Sequence, residues 1–408
     1  VEVKEGQPKS PVPLSSFPPL PSERQLLPGT MEEMKKEEVK EEPKVEVKEE
    51  KKHPSGLTLD ERFKLCRSIG QECISEVELR ALLDKHPKPI AYDGFEPSGR
   101  MHIAQGILKA INVNKLTKCG VKFVFWVADW FAMLNNKMGG ELKKIKKVGE
   151  YMIEVWRAAG MDLENVEFKW AQEEINKNPN EYWMLVMDIA RRNSIARIKR
   201  CATIMGRGEG DHMPSAQILY PAMQCADIFF LRANICQLGM DQRKVNMLAR
   251  EYLEHKDVRK KYRFKPIILS HPMLMGLKQG QAKMSKSDPN SAIFMEDEPH
   301  QVKKKINGAY CPPGVVKDNP ILCYTEHIIF NRNGELEIVR TEENGGNKLY
   351  KSYQELETDY KEGNLHPGDL KPAVIKAINA MLDPVRKHFA SGAPKQLLKQ
   401  IRSFKVTR

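Results

Sequence analysis

Short apolar runs alternate with segments of helical periodicity from residue 57 to about residue 295. Between Leu57 and Leu83 the apolar residues recur at spacings of three and four, which predicts one or two helices. The same spacing predicts helices at about 102–117 and 142–159. Apolar runs predict strands at residues 89–92, 122–128, 234–238 and 266–269, of which 122–128 is expected to be buried, and residues 166–170 are short and strand-like. This alternation predicts an α/β fold with a doubly wound parallel sheet, which binds ligand at the carboxyl ends of its strands.

Three segments depart from this alternation and predict the domain organisation. Residues 1–56 are a proline-rich stretch followed by a Lys/Glu mixture, and neither can bury a core, so a disordered tail is expected. Residues 57–295 form the predicted α/β domain, which a basic helical insertion at about 172–215 interrupts. Strand patterns become sparse after residue 288, so residues 296–408 are predicted to form a separate, mostly helical domain.

Composition narrows the class of protein. No apolar run approaches the roughly 20 residues of a membrane helix, and the first 30 residues lack a secretory or organellar targeting pattern. The eight cysteines are scattered without a CxxC pair, which argues against a disulfide framework or a structural metal. A cytoplasmic protein without membrane attachment or a protein-bound structural metal is expected.

The net charge of +12 is concentrated outside the tail. Residues 1–52 hold 10 of the 66 basic and 12 of the 54 acidic side chains, which leaves 56 basic against 42 acidic side chains beyond them. Such a surplus favours binding of a polyanion such as RNA. It is equally compatible with a basic, well-solvated protein.

Two distant segments have the composition of a phosphate-binding device. Lys283-Met284-Ser285-Lys286-Ser287, flanked by turn-forming residues, suits a mobile loop whose flexible ammonium groups follow a moving charge. Upstream, Gly94 and Ser98 lie between an apolar run and a helical pattern that begins near His102. A strand, a turn and a helix N-terminus in this order form a site that favours binding of an anion. A single histidine such as His102 would more often be a helix-end residue with a local hydrogen bond.

These segments resemble the KMSKS and HIGH motifs of class I aminoacyl-tRNA synthetases, and about residues 55–408 resemble the eukaryotic and archaeal tyrosyl enzymes. The lysine motif matches in full, whereas Gln105 replaces the second histidine of the other motif. The resemblance implies a Rossmann-like catalytic domain, ATP accompanied by Mg²⁺ as substrate, and catalysis by His102, Lys283 and Lys286. The implied ATP-binding residues are Gly94, Ser98, His102, Gln105, Gly239, Asp241, Lys283, Met284, Ser285, Lys286 and Ser287.

The same resemblance implies a tyrosine pocket. Tyr220, Gln224 and Asp227 share one face of a predicted helix that is otherwise apolar. From the residues alone this face could be an exposed polar stripe. The resemblance instead implies that Tyr92 and Asp227 bind the substrate hydroxyl, and that Tyr220, Gln224 and Gln242 hold its amino and carboxylate groups. Two aspartates have alternatives: Asp241 could instead cap the following helix, and Asp129, at the end of a predicted strand, could either face the substrate or be an ordinary strand-end residue.

The predicted C-terminal domain contains a third matching segment. His366 and Asp369 resemble the anticodon-reading turn of the tyrosyl enzymes, where the carboxylate would accept from guanine. A helix-initiating turn is the alternative. Asn344 stands where relatives often have an aromatic residue that stacks on that base, which puts the stacking in doubt.

The resemblance implies tyrosine, ATP and tyrosine tRNA as partners and a homodimer built on the helical insertion. Three alternative functions stay open at this point: a tryptophanyl-tRNA synthetase, a small nucleotidylyltransferase, and a non-catalytic RNA-binding protein that keeps the fold.

Overall fold

The computed structural model describes residues 52–202, 214–284 and 288–405. The chain divides into two units, residues 1–49 and 50–408, and the second unit contains all of the structure described below. The predicted disordered tail therefore falls almost wholly outside the described residues. In the second unit a sheet of six strands has helices on both faces.

The central sheet has the strand order β1-β6-β5-β2-β3-β4. Strands β2 to β6 correspond to the five predicted runs and pair in parallel with one another, which confirms the predicted α/β fold with a mostly parallel sheet. The sequence did not predict β1, which pairs with β6 in antiparallel orientation at one edge. This three-residue, half-buried strand lies between two helices and is too short to show alternation. The bounds are Glu72–Ile74 (β1), Ile90–Phe95 (β2), Lys122–Val127 (β3), Val166–Trp170 (β4), Ile235–Cys236 (β5) and Ile267–Ser270 (β6).

Helices cover the sheet because each has an apolar face that would otherwise be exposed to water. One helix departs from the prediction, since the segment expected from residue 102 begins with a π-helical turn, Ala104–Leu108, before α3. The first helices are Leu59–Arg67 (α1), Glu76–Lys85 (α2), Lys109–Lys118 (α3), Asp129–Leu134 (α4), Leu142–Ala158 (α5), Ala171–Lys177 (α6), Pro179–Arg191 (α7), Ile195–Ala202 (α8), Ala216–Phe230 (α9), Arg243–Tyr252 (α10) and Lys256–Tyr262 (α11).

The predicted insertion is helical where it is described, in α6, α7 and α8. Helices α7 and α8 pack on α9, the helix that carries Tyr220, Gln224 and Asp227. Residues 203–213 lie outside the described part. The insertion therefore contacts the helix on which the tyrosine pocket was predicted.

The C-terminal region is mostly helical, as predicted, and also contains a two-stranded antiparallel hairpin, Leu336–Ile338 (β7) and Lys348–Tyr350 (β8). Its apolar core is continuous with that of the α/β region; for example, Tyr151 and Phe389 have ring centroids 5.6 Å apart. The division at residue 296 stays a prediction. In the described residues no helix is long and apolar enough to cross a membrane. The helices are Pro299–Asn307 (α12), Pro320–Tyr324 (α13), Asn331–Asn333 (α14), Tyr353–Glu362 (α15), Pro367–His388 (α16) and Gly392–Ser403 (α17).

Candidate active site

A cavity of about 300 Å³ opens at the carboxyl ends of β2, β3 and β5. It brings together predicted residues that are far apart in sequence. Ser285, Lys286 and Ser287 lie outside the described residues, and His366 and Asp369 are not part of this cavity. The predicted residues that line it are Tyr92, Gly94, Ser98, His102, Gln105, Tyr220, Gln224, Asp227, Gly239, Asp241, Gln242, Lys283 and Met284.

The backbone around His102 is tied to the segment that follows the lysine loop. His102 forms an isolated antiparallel bridge with Phe294, and Ile103 N donates to Ile293 O at 2.9 Å. Arg100 reinforces this junction, since its Nε donates to Glu296 Oε1 at 2.6 Å. The backbone around His102 is therefore anchored to residues 293–296, which follow the lysine loop.

The turn after His102 is closely packed against the same segment. A Cβ added to Gly106 would lie 2.6 Å from Met295 Cγ, so a larger residue would displace Met295. Gln105 lines the cavity, and its buried Oε1 has no hydrogen-bond partner among the described residues. An uncharged side chain thus presents an unused polar atom where the family motif has histidine.

The lysine loop meets the end of β5 through an ion pair. Lys283 Nζ lies 3.4 Å from Asp241 Oδ2, and both side chains are partly exposed. The alternative that Asp241 caps the next helix is not observed, because α10 begins at Arg243 without a side-chain cap. Gly239 is closely packed, since an added Cβ would lie 2.8 Å from Met273 Sδ and Met273 would have to shift. At Gly94 an added Cβ would be in ordinary van der Waals contact, with Trp126 nearest at 3.8 Å.

The other half of the cavity is built around a buried carboxylate. Asp227 is 2% exposed, and Tyr182 Oη donates to its Oδ1 at 2.8 Å. Burial raises the pKa of Asp227 well above its ordinary value, and the hydrogen bond from Tyr182 acts in the opposite direction. Nearby, the fully buried Tyr92 Oη has no hydrogen-bond partner among the described residues. A phenol placed between these groups would satisfy both.

Two further contacts order this half of the cavity. Tyr220 Oη donates to Glu96 Oε1 at 2.8 Å, and Gln224 Nε2 donates to Gln242 Oε1 at 3.1 Å. The alternative of an exposed polar stripe is wrong, because Gln224 and Asp227 are both buried. Helix α9 turns its polar face towards the cavity because the remaining faces pack on α7, α8 and α10.

Sequence reasoning missed a buried ion pair in the cavity wall, between Asp93 Oδ2 on β2 and Lys109 Nζ on α3. Burial raises the pKa of Asp93, Lys109 opposes that shift, and the neighbouring Asp241 adds to it. His271 also lines the cavity, and burial lowers its pKa well below the ordinary value. The one available sequence indication was position: Lys109 lies seven residues, or about two helical turns, after His102.

With this geometry established, comparison with known proteins decides the family. The family described as tRNA synthetases class I (W and Y) matches residues 84–383. The chain belongs to this family.

Three relatives with at least 33% identity are named for tyrosine. The cytoplasmic tyrosine–tRNA ligase 1 of Arabidopsis thaliana is 62% identical over 351 residues, which cover 86% of this chain and 90% of that protein. A Leishmania major tyrosyl-tRNA synthetase solved with tyrosinol has a TM-score of 0.79 and 52% identity; the match covers 86% of this chain and about half (53%) of that one. The Pyrococcus horikoshii enzyme solved with L-tyrosine has a TM-score of 0.78 and 33% identity, covering 84% and 100%.

Among the predicted polar residues of this class I synthetase, Asp129 has a structural role. Its Oδ1 accepts from Trp130 N at 2.9 Å and from Gln172 N at 3.0 Å, so it joins the starts of α4 and α6. Asp129 does not line the cavity. The alternative of an ordinary strand-end aspartate therefore describes it better than contact with substrate.

The predicted anticodon turn of this synthetase lies at the start of α16. His366 is exposed and caps the helix, since its Nδ1 accepts from Gly368 N at 3.0 Å, and Asp369 is half-buried in the first turn. Arg340 joins this region to the hairpin loop by donating to Gly346 O and to Asn364 O, both at 2.7 Å. The turn does start a helix, and its role in reading an anticodon stays a prediction.

Proposed function

We propose that this chain activates tyrosine with ATP to form tyrosyl-adenylate and transfers the tyrosyl group to the 3′ end of tyrosine tRNA. The activity is that of a tyrosine–tRNA ligase, in agreement with the family and with the names of relatives at up to 62% identity. The roles of individual residues below are part of the proposal.

Activation requires alignment and charge rather than a covalent protein catalyst. The tyrosine carboxylate attacks the α-phosphate of ATP, and pyrophosphate leaves. His102 would donate to the phosphates, while Lys283 and Lys286 would neutralise the negative charge that develops during the reaction. Asp241 would accept from the ribose hydroxyls, and Mg²⁺ bound to ATP would neutralise the triphosphate further. This proposal is supported by the fact that His102, Lys283 and Asp241 line the same cavity.

One observation carries the choice of amino acid: Tyr92 Oη is buried without a partner in the described residues, in the same cavity as the buried Asp227. A site that is built to bind a hydroxyl group rejects the analogue that lacks it, because its own polar groups would remain unpaired. Tyrosyl-tRNA synthetases are themselves the reference example, rejecting phenylalanine by about 10⁵-fold. Tryptophan has no phenolic hydroxyl, so the tryptophan branch of the family fits this pocket less well.

The remaining parts of the proposal concern macromolecular partners. Asp369 and His366 would read the anticodon, in a domain beginning near residue 296, and the basic insertion would contact the acceptor end. A homodimer is supported by exposed apolar side chains on α7 and α8: Met184, Met187 and Ile195. We propose a cytoplasmic location, by analogy with the Arabidopsis relative.

The test is ATP–pyrophosphate exchange with each of the twenty amino acids, followed by charging of total tRNA. We expect exchange with tyrosine alone and charging of tyrosine tRNA. Lys286→Ala should slow exchange severely while tyrosine still binds. Lys278→Ala is the matched control, because it also removes a lysine near this loop. The Lys278 side chain pairs with Asp288 at 2.6 Å. Exchange with tryptophan instead, or no exchange with any amino acid, would refute the proposal.

A further inference from the structure

A tyrosine of the helical insertion lies behind the carboxylate that we assign to substrate recognition. Tyr182 on α7 is fully buried and does not line the cavity. Its Oη donates to Asp227 Oδ1 at 2.8 Å and lies 3.3 Å from Met223 O. A phenol has one proton, so the shorter and charge-assisted bond to Asp227 determines its direction.

Trp126 lowers the pKa of Asp227 in the same direction as Tyr182, so hydrogen bonds rather than a counter-charge stabilise this carboxylate. It is 2% exposed, and among the described residues no lysine, arginine or histidine forms a salt bridge with it. A buried carboxylate is costly unless hydrogen bonds stabilise its charged form. The Tyr182 hydroxyl therefore acts on the charge of Asp227 as well as on its orientation.

The ring of Tyr182 is held in place by its neighbours. It meets Phe230 edge to face at 5.2 Å and Trp183 at 5.6 Å. Side chains packed in this way keep one rotamer, so the hydroxyl presents a fixed donor to Asp227. Asp227 also lines the cavity, together with Tyr92, whose buried Oη has no hydrogen-bond partner among the described residues.

We propose that Tyr182 is a positioning residue for amino-acid selection: it orients Asp227 so that the pocket accepts a para-hydroxyphenyl side chain and rejects a phenyl one. This inference rests on the proposed function. It assigns to the insertion a part in choosing the substrate, through a residue that never touches the substrate.

The test compares Tyr182→Phe with the wild-type enzyme in pyrophosphate exchange, measured separately with tyrosine and with phenylalanine. The variant keeps the ring and removes only the hydroxyl. We expect the KM for tyrosine to rise by about tenfold or more, the loss typical of a hydrogen bond to a charged group. The KM for ATP should not change, and the ratio of kcat/KM for tyrosine to that for phenylalanine should fall by a similar factor.

Tyr252→Phe is the matched control. Tyr252 Oη donates to Asp188 Oδ2 at 2.5 Å, and Asp188 lies on α7 as Tyr182 does, but neither residue of this pair lines the cavity. This variant removes a similar tyrosine–aspartate bond from the same helix and should leave the tyrosine-to-phenylalanine ratio unchanged. An equal fall in both variants would indicate a general loss of helix packing and would refute the positioning role.

A double-mutant cycle separates the remaining outcomes. In an Asp227→Asn background, Tyr182→Phe should cause little further loss of discrimination, because the carboxylate that it positions is already gone. If Tyr182→Phe does not fold, Tyr182→p-aminophenylalanine keeps a donor at the same place and must retain discrimination, or the inference fails. A wild-type enzyme that exchanges with tyrosine but is insensitive to Tyr182→Phe refutes this inference alone. A wild-type enzyme without tyrosine-dependent exchange refutes the proposed function as well.

Discussion

Replacing Lys109 by methionine should destabilise the protein far more than replacing a lysine on the surface. The Asp93 and Lys109 side chains are each 8% exposed and form an ion pair in the cavity wall. Methionine preserves most of the length of the lysine side chain, so the packing of α3 on the sheet is largely kept. What the change removes is the positive charge, and Asp93 is left buried without it.

The magnitude follows from this burial. Removing one partner of a buried ion pair costs about 3–5 kcal/mol, because the remaining charge has no compensation. Lys122→Met is the matched control: its pair with Glu167 joins two strands of the same sheet, and each side chain is 40% exposed. An exposed pair contributes about 0–1 kcal/mol. The double variant Asp93→Leu/Lys109→Met should recover most of the loss, since neither charge is then buried.

The pH dependence of stability provides a second test of the Lys109→Met variant. Burial already raises the pKa of Asp93 in the folded protein, and without Lys109 that shift is larger. The folded variant then binds a proton that the unfolded chain has lost at neutral pH, so its stability falls as pH rises through the raised pKa. The loss of unfolding free energy relative to the wild type should therefore be greater at pH 8 than at pH 5.5.

The assay is urea unfolding followed by tryptophan fluorescence at both pH values. A loss for Lys109→Met no larger than that for Lys122→Met would refute the reasoning. So would a deficit that does not depend on pH, because an uncompensated buried carboxylate must respond to protonation.

Two further predictions address the junction of the phosphate-binding segments and the C-terminal region. Gly106→Ala should lower the unfolding free energy by about 1–3 kcal/mol through overpacking against Met295; an unchanged urea midpoint would contradict the close approach. Arg340→Met should raise the KM for tRNA in charging and leave pyrophosphate exchange intact, because it frees the hairpin loop from Asn364. An equal loss in exchange would place its effect in the catalytic region instead.

The sequence predicted those strands that show a recognisable apolar pattern. Strand β3 is a continuous apolar run from Phe123 to Val127, and each of these residues is buried. Strand β4 is half-buried throughout and was still predicted from its strand-like pattern. Strand β1 was not predicted because its three residues are too few to show a pattern and depend on pairing with β6. The π-helical turn at Ala104–Leu108 likewise lies where distant Met295 packs against Gly106, which local sequence does not reveal.

Some cavity residues could likewise be predicted from the sequence and others could not. The resemblance to a family predicted Tyr92 and Asp227, whereas Tyr182 and Lys109 remained unrecognised. Each of these two derives its importance from one distant partner: Tyr182 from Asp227, 45 residues away, and Lys109 from Asp93 on another element. A tyrosine on the apolar face of an amphipathic helix and a lysine in a helix interior have many ordinary explanations. Only the three-dimensional contacts show that Tyr182 and Lys109 differ from such ordinary residues.

The ion pairs Lys283–Asp241 and Lys109–Asp93 in the cavity differ in a way that suits nucleotide binding. Lys283 and Asp241 are 51% and 32% exposed and 3.4 Å apart, so their pair contributes little and an incoming triphosphate can replace it at small cost. That exchange would free Asp241 for the ribose at the moment when Lys283 reaches a phosphate. Lys109 and Asp93 are buried, so separating them is costly and their pair should persist through the reaction. The same cavity therefore combines one exchangeable pair, which the ligand can open, with one permanent pair, which holds the wall against which the ligand binds.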